Sequence, residues 1–354
     1  MFKTKPFLAL LLLVIMSLVG GFVFMLNSKD RDKKETITLT IWEGEKSILH
    51  LPLYVALQEG YFKEQGINVK LVARSGNTGN NPYTDRITDL ILTDPVECLY
   101  RKSINPGSPL IITTIASRDG TFLLGRKKEV FSWEKLNGKN IIAYPPETGP
   151  GLALDQKLRA ENMAPMLDVN LYIRIPRDLR LSAFKSGSGS YIQLAGPEAV
   201  KAEQNGTGYI SACLGEETRV FPSVLCAAWP ETIDRHPGAV QGFVNAIYKA
   251  QLWMREEPEL GARAVKNHFH NLDKKISNQL LEKYSKINMW QPGPWVDNAT
   301  FNKIEQTMEV AGQLAVPVTY GYAVDNSFAR RAAQIIKYIP KEEREKSWFR
   351  KIFD

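Results

Sequence analysis

Three cysteines in 354 residues, Cys98, Cys213 and Cys226, are too few and too scattered for a disulfide framework or a zinc site. Cys213 and Cys226 could pair, but three buried free thiols is the simpler expectation. Histidine is almost as scarce, with four in the chain. His268 and His270 straddle Phe269, and a helix splays residues two apart, so a solvated helix end is expected there rather than a metal site. His50 and His236 stand alone. There is no G-x-S-x-G elbow, no H-E-x-x-H, no P-loop and no C-x-x-C, which removes common hydrolase, metalloprotease, nucleotide and redox signatures. "GSGS" (Gly187–Ser190) lacks the lysine that a phosphate loop places next and reads as a flexible turn. No metal and no cofactor is expected. Internal repeats and low-complexity segments are also lacking.

A basic folded surface is missing too. The formal charge of +7 suggests a polyanion partner until it is divided along the chain. The first 36 residues carry six Lys or Arg against three Asp or Glu, residues 330–354 carry eight against four, and the remainder nets to zero. A nucleic-acid binder holds its basic excess on the folded surface. This chain holds it at its two ends, so no nucleic-acid partner is expected.

What is present begins with one long apolar run. Phe7–Leu26 is 20 residues without a charge, the length a helix needs to cross a bilayer. No A-x-A-like cleavage site follows, and in "LVGG" (Leu18–Gly21) Gly21 stands where a lipoprotein would carry its acylated cysteine. The expectation is an uncleaved signal anchor over residues 1–26 with a charged linker over 27–35. A cleaved signal is the alternative. Lys29, Arg31, Lys33 and Lys34 outnumber Lys3 and Lys5, and the positive-inside rule then favours the opposite orientation.

From Thr36 onward strands and helices alternate, as an α/β fold requires. "ITLTIW" (Ile37–Trp42) and "INVKLV" (Ile67–Val72) read as strands. Between them Pro52 suits a first helical turn, and Leu53, Ala56, Leu57 and Tyr61 follow at helical spacing. Gly60 and Gly66 fit helix-end turns. The loop between the first strand and this helix lies where open α/β sheets bind ligands. "DLILTD", "LIITTIA" and "TFLLGR" are further strands. Asn140–Tyr144 leads through "PPETGPG" into a helix ending near Glu161, with Thr148 as cap. That turn offers N–H groups and the positive end of a helix dipole, although an ordinary capped turn is the plainer reading. After Pro237 the pattern is helical, and the last segment is a basic, mixed-charge tail with four aromatics.

The order of these motifs resembles the extracytoplasmic substrate-binding proteins of ABC importers for sulfonates, nitrate and thiamine-type pyrimidine precursors. The resemblance covers roughly Ile37 to Ala332. It is carried by "HLPLYVALQEGYFKEQGINVKLV", "LNGKNIIAYPPETGPG", "AFKSGSGSYIQLAGPEAV", the stretch from "GYISACLGEE" to "NAIYKAQLW", and "YSKINMWQPGPWVDNATFNKIEQTMEVAGQL". It implies a two-lobed type II periplasmic-binding-protein architecture with two crossings, near Leu123–Arg126 and Arg219–Ser223. Residues 36–122 and 221–330 would form one lobe, 123–220 the other, and 331–354 the basic tail. Two departures stand out: an apolar span replaces the family's lipid anchor, and "TDRITDLILTDP" replaces its glycine–Asp step after the second strand.

The resemblance implies a monomer on the extracytoplasmic face of the membrane that delivers a small-molecule solute to a permease and ATPase. Trp42, His50 and Tyr54 are the expected first wall of the cleft, with Thr93 and Asp94 at a strand end of the same lobe. Thr148, Gly149 and Gly151 are expected to form the anion-facing turn of the other lobe, with Glu198 nearby. Trp42, Tyr54 and Tyr144 would suit a planar ring. The rivals are a pyrimidine-synthase-like enzyme, which would need a cysteine-rich cluster and a cofactor lysine, and a sensing ectodomain working with a separate signalling chain.

Overall fold

The computed structural model describes residues 36–73, 81–218, 221–291, 293, 295–314 and 316–344. The expected membrane span and linker lie outside the described residues, and among the described residues no helix is long and apolar enough to cross a membrane. Residues from Leu39 onward form one compact unit, described below.

Ten strands form two five-stranded sheets among the described residues. The first takes β1 (Ile37–Gly44), β2 (Ile67–Ala73), β3 (Leu90–Thr93), β4 (Leu110–Ala116) and β10 (Val224–Ala228), in the order β2-β1-β3-β10-β4. The second takes β5 (Thr121–Gly125), β6 (Asn140–Ile142), β7 (Asn170–Tyr172), β8 (Tyr191–Ala195) and β9 (Tyr209–Cys213), in the order β7-β6-β8-β5-β9. β1 runs parallel to β3, and β6 runs parallel to β7 and β8. Each sheet also contains one antiparallel strand: β10 between β3 and β4, and β5 between β8 and β9. These are the strands that enter directly after a change of sheet, so the reversal of direction records the two crossings.

The first crossing falls between Ala116 and Thr121, because β5 already belongs wholly to the second sheet. That corrects the expected position near Leu123–Arg126 by a few residues: the apolar run "TFLLG" spends itself as a buried central strand instead of a connection. The return lies between Cys213 and Val224. The two connections touch, since a Cβ on Gly215 would lie 2.2 Å from the Asp119 carbonyl oxygen. Only glycine fits that approach.

Helices of eight or more residues are α1 (Leu51–Gln58), α2 (Pro95–Ile104), α3 (Gly149–Ala160), α4 (Arg177–Lys185), α5 (Gly196–Gln204), α6 (Pro237–Glu256), α7 (Glu259–His268), α8 (Lys274–Lys286), α9 (Asn298–Val310) and α10 (Ser327–Ile335). Their starts are coded locally. Asp94, Thr148, Asp273 and Asp297 each accept a hydrogen bond from a backbone N–H of the first turn. Gly60, at φ +75°, ends the first helical stretch, so Tyr61 begins a separate short turn instead of continuing α1. Every residue of β3, β5 and β10 is buried, as expected of strands covered on both faces.

One apolar cluster joins α2, β4, β10 and α9 to Leu152 and Ala153 of α3, while Leu154 and Leu158 of the same helix enter the core of the second sheet. Helix α3 therefore spans two cores. The three cysteines are free; Cys98 and Cys226 are buried and Cys213 is half-buried. Cys213 ends a strand of the second sheet and Cys226 sits inside one of the first. The described part of the tail is not free-standing: Tyr338 packs edge-on against Trp253 at 5.1 Å, and its hydroxyl and Arg344 both reach Glu257.

Candidate functional site

Because β10 is antiparallel to its neighbours, the carboxyl ends of β1 and β3 and the amino end of β10 share one edge of the first sheet. A cavity of about 540 Å³ opens there, lined by Trp42–Glu45, His50, Ile91–Asp94, Ser223 and Val224, with Asn81–Tyr83, Glu97 and Arg101 closing its side. Gly44 adopts φ +68° beside the Trp42 indole nitrogen, which lets the chain leave the sheet without covering that ring.

Glu43 is the centre of the wall. It is 6 % exposed, His50 is also 6 % exposed and Tyr54 is 2 % exposed. The Tyr54 hydroxyl donates to Glu43 Oε1, and His50 Nδ1 lies 3.2 Å from the same oxygen. Tyr54 thus does not line the cavity; it lies beneath Glu43 and fixes that carboxylate. Its ring in turn packs on His268 at 4.8 Å and edge-on to Phe269 at 5.3 Å. His268 is therefore half-buried against Tyr54, not the fully solvated end expected, and burial together with Lys46 lowers its pKa.

The opposite side is set by β3 and the start of α2. Tyr83 donates to Thr93 Oγ1 at 2.8 Å, and burial pushes its phenol well above the ordinary range. Asp94 Oδ1 accepts from the Glu97 N–H at 3.0 Å and caps α2. Burial outweighs that bond, so the Asp94 carboxyl is pushed up to about 6. Arg101 Nε donates to Glu97 at 2.7 Å, and its guanidinium lies 5.1 Å from the Tyr83 ring centre.

Of the residues singled out from sequence, Trp42, His50, Thr93 and Asp94 line this cavity; Tyr54, Thr148, Gly149, Gly151 and Glu198 do not. The turn at Thr148 also has fewer free N–H groups than expected of it. Thr148 Oγ1 already accepts the Gly151 N–H at 3.2 Å, Pro150 has no N–H, and Gly151 is buried. A Cβ on Gly151 would lie 1.9 Å from the Pro145 carbonyl oxygen, so this glycine serves close packing. A Cβ on Gly149 would lie 3.3 Å from the Asp94 Cβ and 3.7 Å from its Oδ1, which puts the Asp94 carboxyl against the first residue of α3. Glu198, in the first turn of α5, faces Arg177 at 3.7 Å. Tyr144 carries the Arg180 guanidinium 4.2 Å from its ring centre.

Sequence reasoning missed Glu43, Tyr83, Glu97 and Arg101. Glu43 had a signal, since it follows Trp42 at the end of a strand leading into the flagged loop. Tyr83 had none, because only the fold brings Asn81–Tyr83 beside β3.

The fold is that of the two-lobed periplasmic binding proteins. The chain belongs to the NMT1/THI5-like family, whose model matches residues 47–260. It is 28 % identical over 320 residues to YtlA, a provisionally named binding protein of Bacillus subtilis (strain 168), covering 88 % of this chain and 95 % of that one. Among solved structures it is similar to the periplasmic nitrate-binding protein NrtA from Synechocystis PCC 6803, with TM-score 0.63, 14 % identity and coverage of 87 % and 91 % of the two chains. The alkanesulfonate-binding protein SsuA from Xanthomonas axonopodis pv. citri, bound to MOPS, matches with TM-score 0.61, 15 % identity and coverage of 83 % and 99 %. The desulfurization enzyme DSZB shares the fold as well, with TM-score 0.62 and 14 % identity. At these identities the structural matches speak for the fold alone.

Proposed function

We propose that this protein is the solute-binding component of an ABC importer, held at the extracytoplasmic face of the membrane by residues 1–26. It captures one small molecule at the carboxyl edge of the first sheet and hands it to a permease. The observation that carries this reading is the cavity of about 540 Å³ at the ends of β1 and β3, walled by Trp42 and by the buried polar side chains of Glu43, His50 and Thr93. A site of that size suits a single small solute. Trp42, His50, Thr93 and Asp94 act as ligand contacts, Tyr54 as support, and Thr148, Gly149, Gly151 and Glu198 belong to the facing lobe that closes over the solute. The lobes are 36–122 with 221–330, and 123–220, with their boundary at the first crossing moved to the Ser117–Gly120 connection.

An enzyme reading finds less support. No cysteine lines the cavity among the described residues, and burial pushes all three thiols up, Cys98 to about 12 and Cys213 to about 11. Thiols so shifted stay protonated and poorly nucleophilic at neutral pH. The test of the binding reading is native mass spectrometry of the purified protein followed by titration with the released compound. At a hundredfold excess over its dissociation constant that compound should stabilise the fold by about 2.7 kcal/mol. Recovery of no small molecule, with no saturable binding from a metabolite panel, would overturn it.

A further inference from the structure

The cavity wall carries Glu43, Glu45, Asp94 and Glu97, against Arg101 and the imidazole of His50. Two of these carboxylates are spent on cations. Glu97 holds Arg101, and Glu45 holds Arg177. Glu43 and Asp94 remain. Glu43 is more than nine-tenths buried, and both of its protein hydrogen bonds fall on Oε1. Its Oε2 has no hydrogen-bond partner among the described residues, on a side chain that lines the cavity. Asp94 accepts only backbone N–H groups of its own helix, and its carboxyl lies beside Gly149, the first residue of α3, where it disfavours an anion.

Arg101, the one Lys or Arg lining the cavity among the described residues, is held by Glu97. Of the cations around it, Arg177 is held by Glu45 and Glu198, Lys46 leans over the Tyr54 and Phe269 rings, and Arg180, whose Nη1 has no hydrogen-bond partner among the described residues, is stacked on Tyr144 outside the lining. Glu43 shares its Oε1 with Tyr54 and His50, and its open Oε2 leaves this buried carboxylate room for a donor or a cation. The aromatic walls, Trp42 and Tyr83, favour the same kind of guest, because ring faces attract cations and planar groups.

We infer that the solute of this site is an organic cation bearing N–H donors on a planar frame, held by Glu43 and Asp94 between Trp42 and Tyr83, and that sulfonate and nitrate are excluded. The inference rests on the binding reading above. Charge complementarity of this kind sets which partner is admitted, since a like charge placed against a buried carboxylate is strongly disfavoured.

The test uses the full chain with four probes at pH 7.5: benzamidine hydrochloride, benzyl alcohol, sodium benzenesulfonate and sodium nitrate. Calorimetry and ligand-observed NMR should show benzamidinium binding at least tenfold more tightly than benzyl alcohol, with the two anions not binding at the same concentrations. Glu43→Gln and Asp94→Asn, which preserve shape and the acceptors for Tyr54 and for the α2 cap, should each weaken benzamidinium at least tenfold. Benzenesulfonate or nitrate binding more tightly than benzamidinium would overturn the assignment, as would unchanged benzamidinium affinity in both variants, or binding of none of the four. The native solute separates the two readings. A released anion would sink the ligand class while leaving the binding function intact; a released cation supports both; no released solute and no bound probe sinks both.

Discussion

Replacing Asp94 by Asn should make the protein more stable at neutral pH, and the gain should vanish in acid. The Asp94 carboxyl is raised from 3.8 to about 6 by burial. In the unfolded chain it ionises near 3.8, so between those values the folded state binds more protons than the unfolded state. Stability then falls as pH rises through that window. A shift of about two units corresponds to about 3 kcal/mol at neutral pH. Asn removes the charge and retains an oxygen for the Glu97 N–H, and Asn caps helices as well as Asp does. The variant should therefore be about 3 kcal/mol more stable at pH 7.5 and equal to the parent near pH 4. Urea unfolding of both proteins at half-unit steps from pH 4 to pH 8 measures this. Asp119, pushed up to about 6 by burial in the first crossing, contributes the same way in both proteins and cancels in the difference. A variant less stable at pH 7.5, or a difference independent of pH, would refute the reasoning. A gain at pH 7.5 that fades in acid would mark the destabilising carboxylate as the cost of holding it ready for a solute.

Four further outcomes are expected. Gly151→Ala should lower stability by about 3 kcal/mol or prevent folding, because the new methyl overlaps the Pro145 carbonyl oxygen; circular dichroism melting measures it, and an unchanged midpoint would show that the turn yields. Tyr54→Phe should cost about 1–2 kcal/mol by removing the donor to buried Glu43, and should loosen solute binding through that carboxylate; a double-mutant cycle with Glu43→Gln checks the coupling. If the two connections around Asp119 and Gly215 act as a hinge, small-angle scattering should show compaction on saturation with the identified solute, and an unchanged radius would count against closure. The full chain should sediment with membranes while residues 36–354 remain soluble, and a mature chain lacking Phe7–Leu26 in the extracytoplasmic fraction would contradict the anchor.

The sequence by itself determined what local chemistry determines. Apolar runs such as "LILT" and "LIITTIA" became β3 and β4 because nearly all their side chains are buried, on both faces. Asp94-Pro95 and Thr148-Gly-Pro carry a cap and a first-turn proline, and both open helices where the residues say they should. The loop after β1 was legible as a ligand position, and with it Trp42 and His50. Only the tertiary structure decided the rest, because charge and space are settled between segments far apart in the chain. That "TFLLG" is a strand of the second sheet follows from its pairing with residues some 70 and 90 positions later. That Gly151 packs against a carbonyl instead of facing solvent follows from how tightly its turn folds back on Pro145. Above all, the sequence offered α3 as an anion site by its glycines and its dipole. The fold set the carboxyl of Asp94, 55 residues earlier, against that same helix end, a placement no local pattern announces because it joins two distant segments.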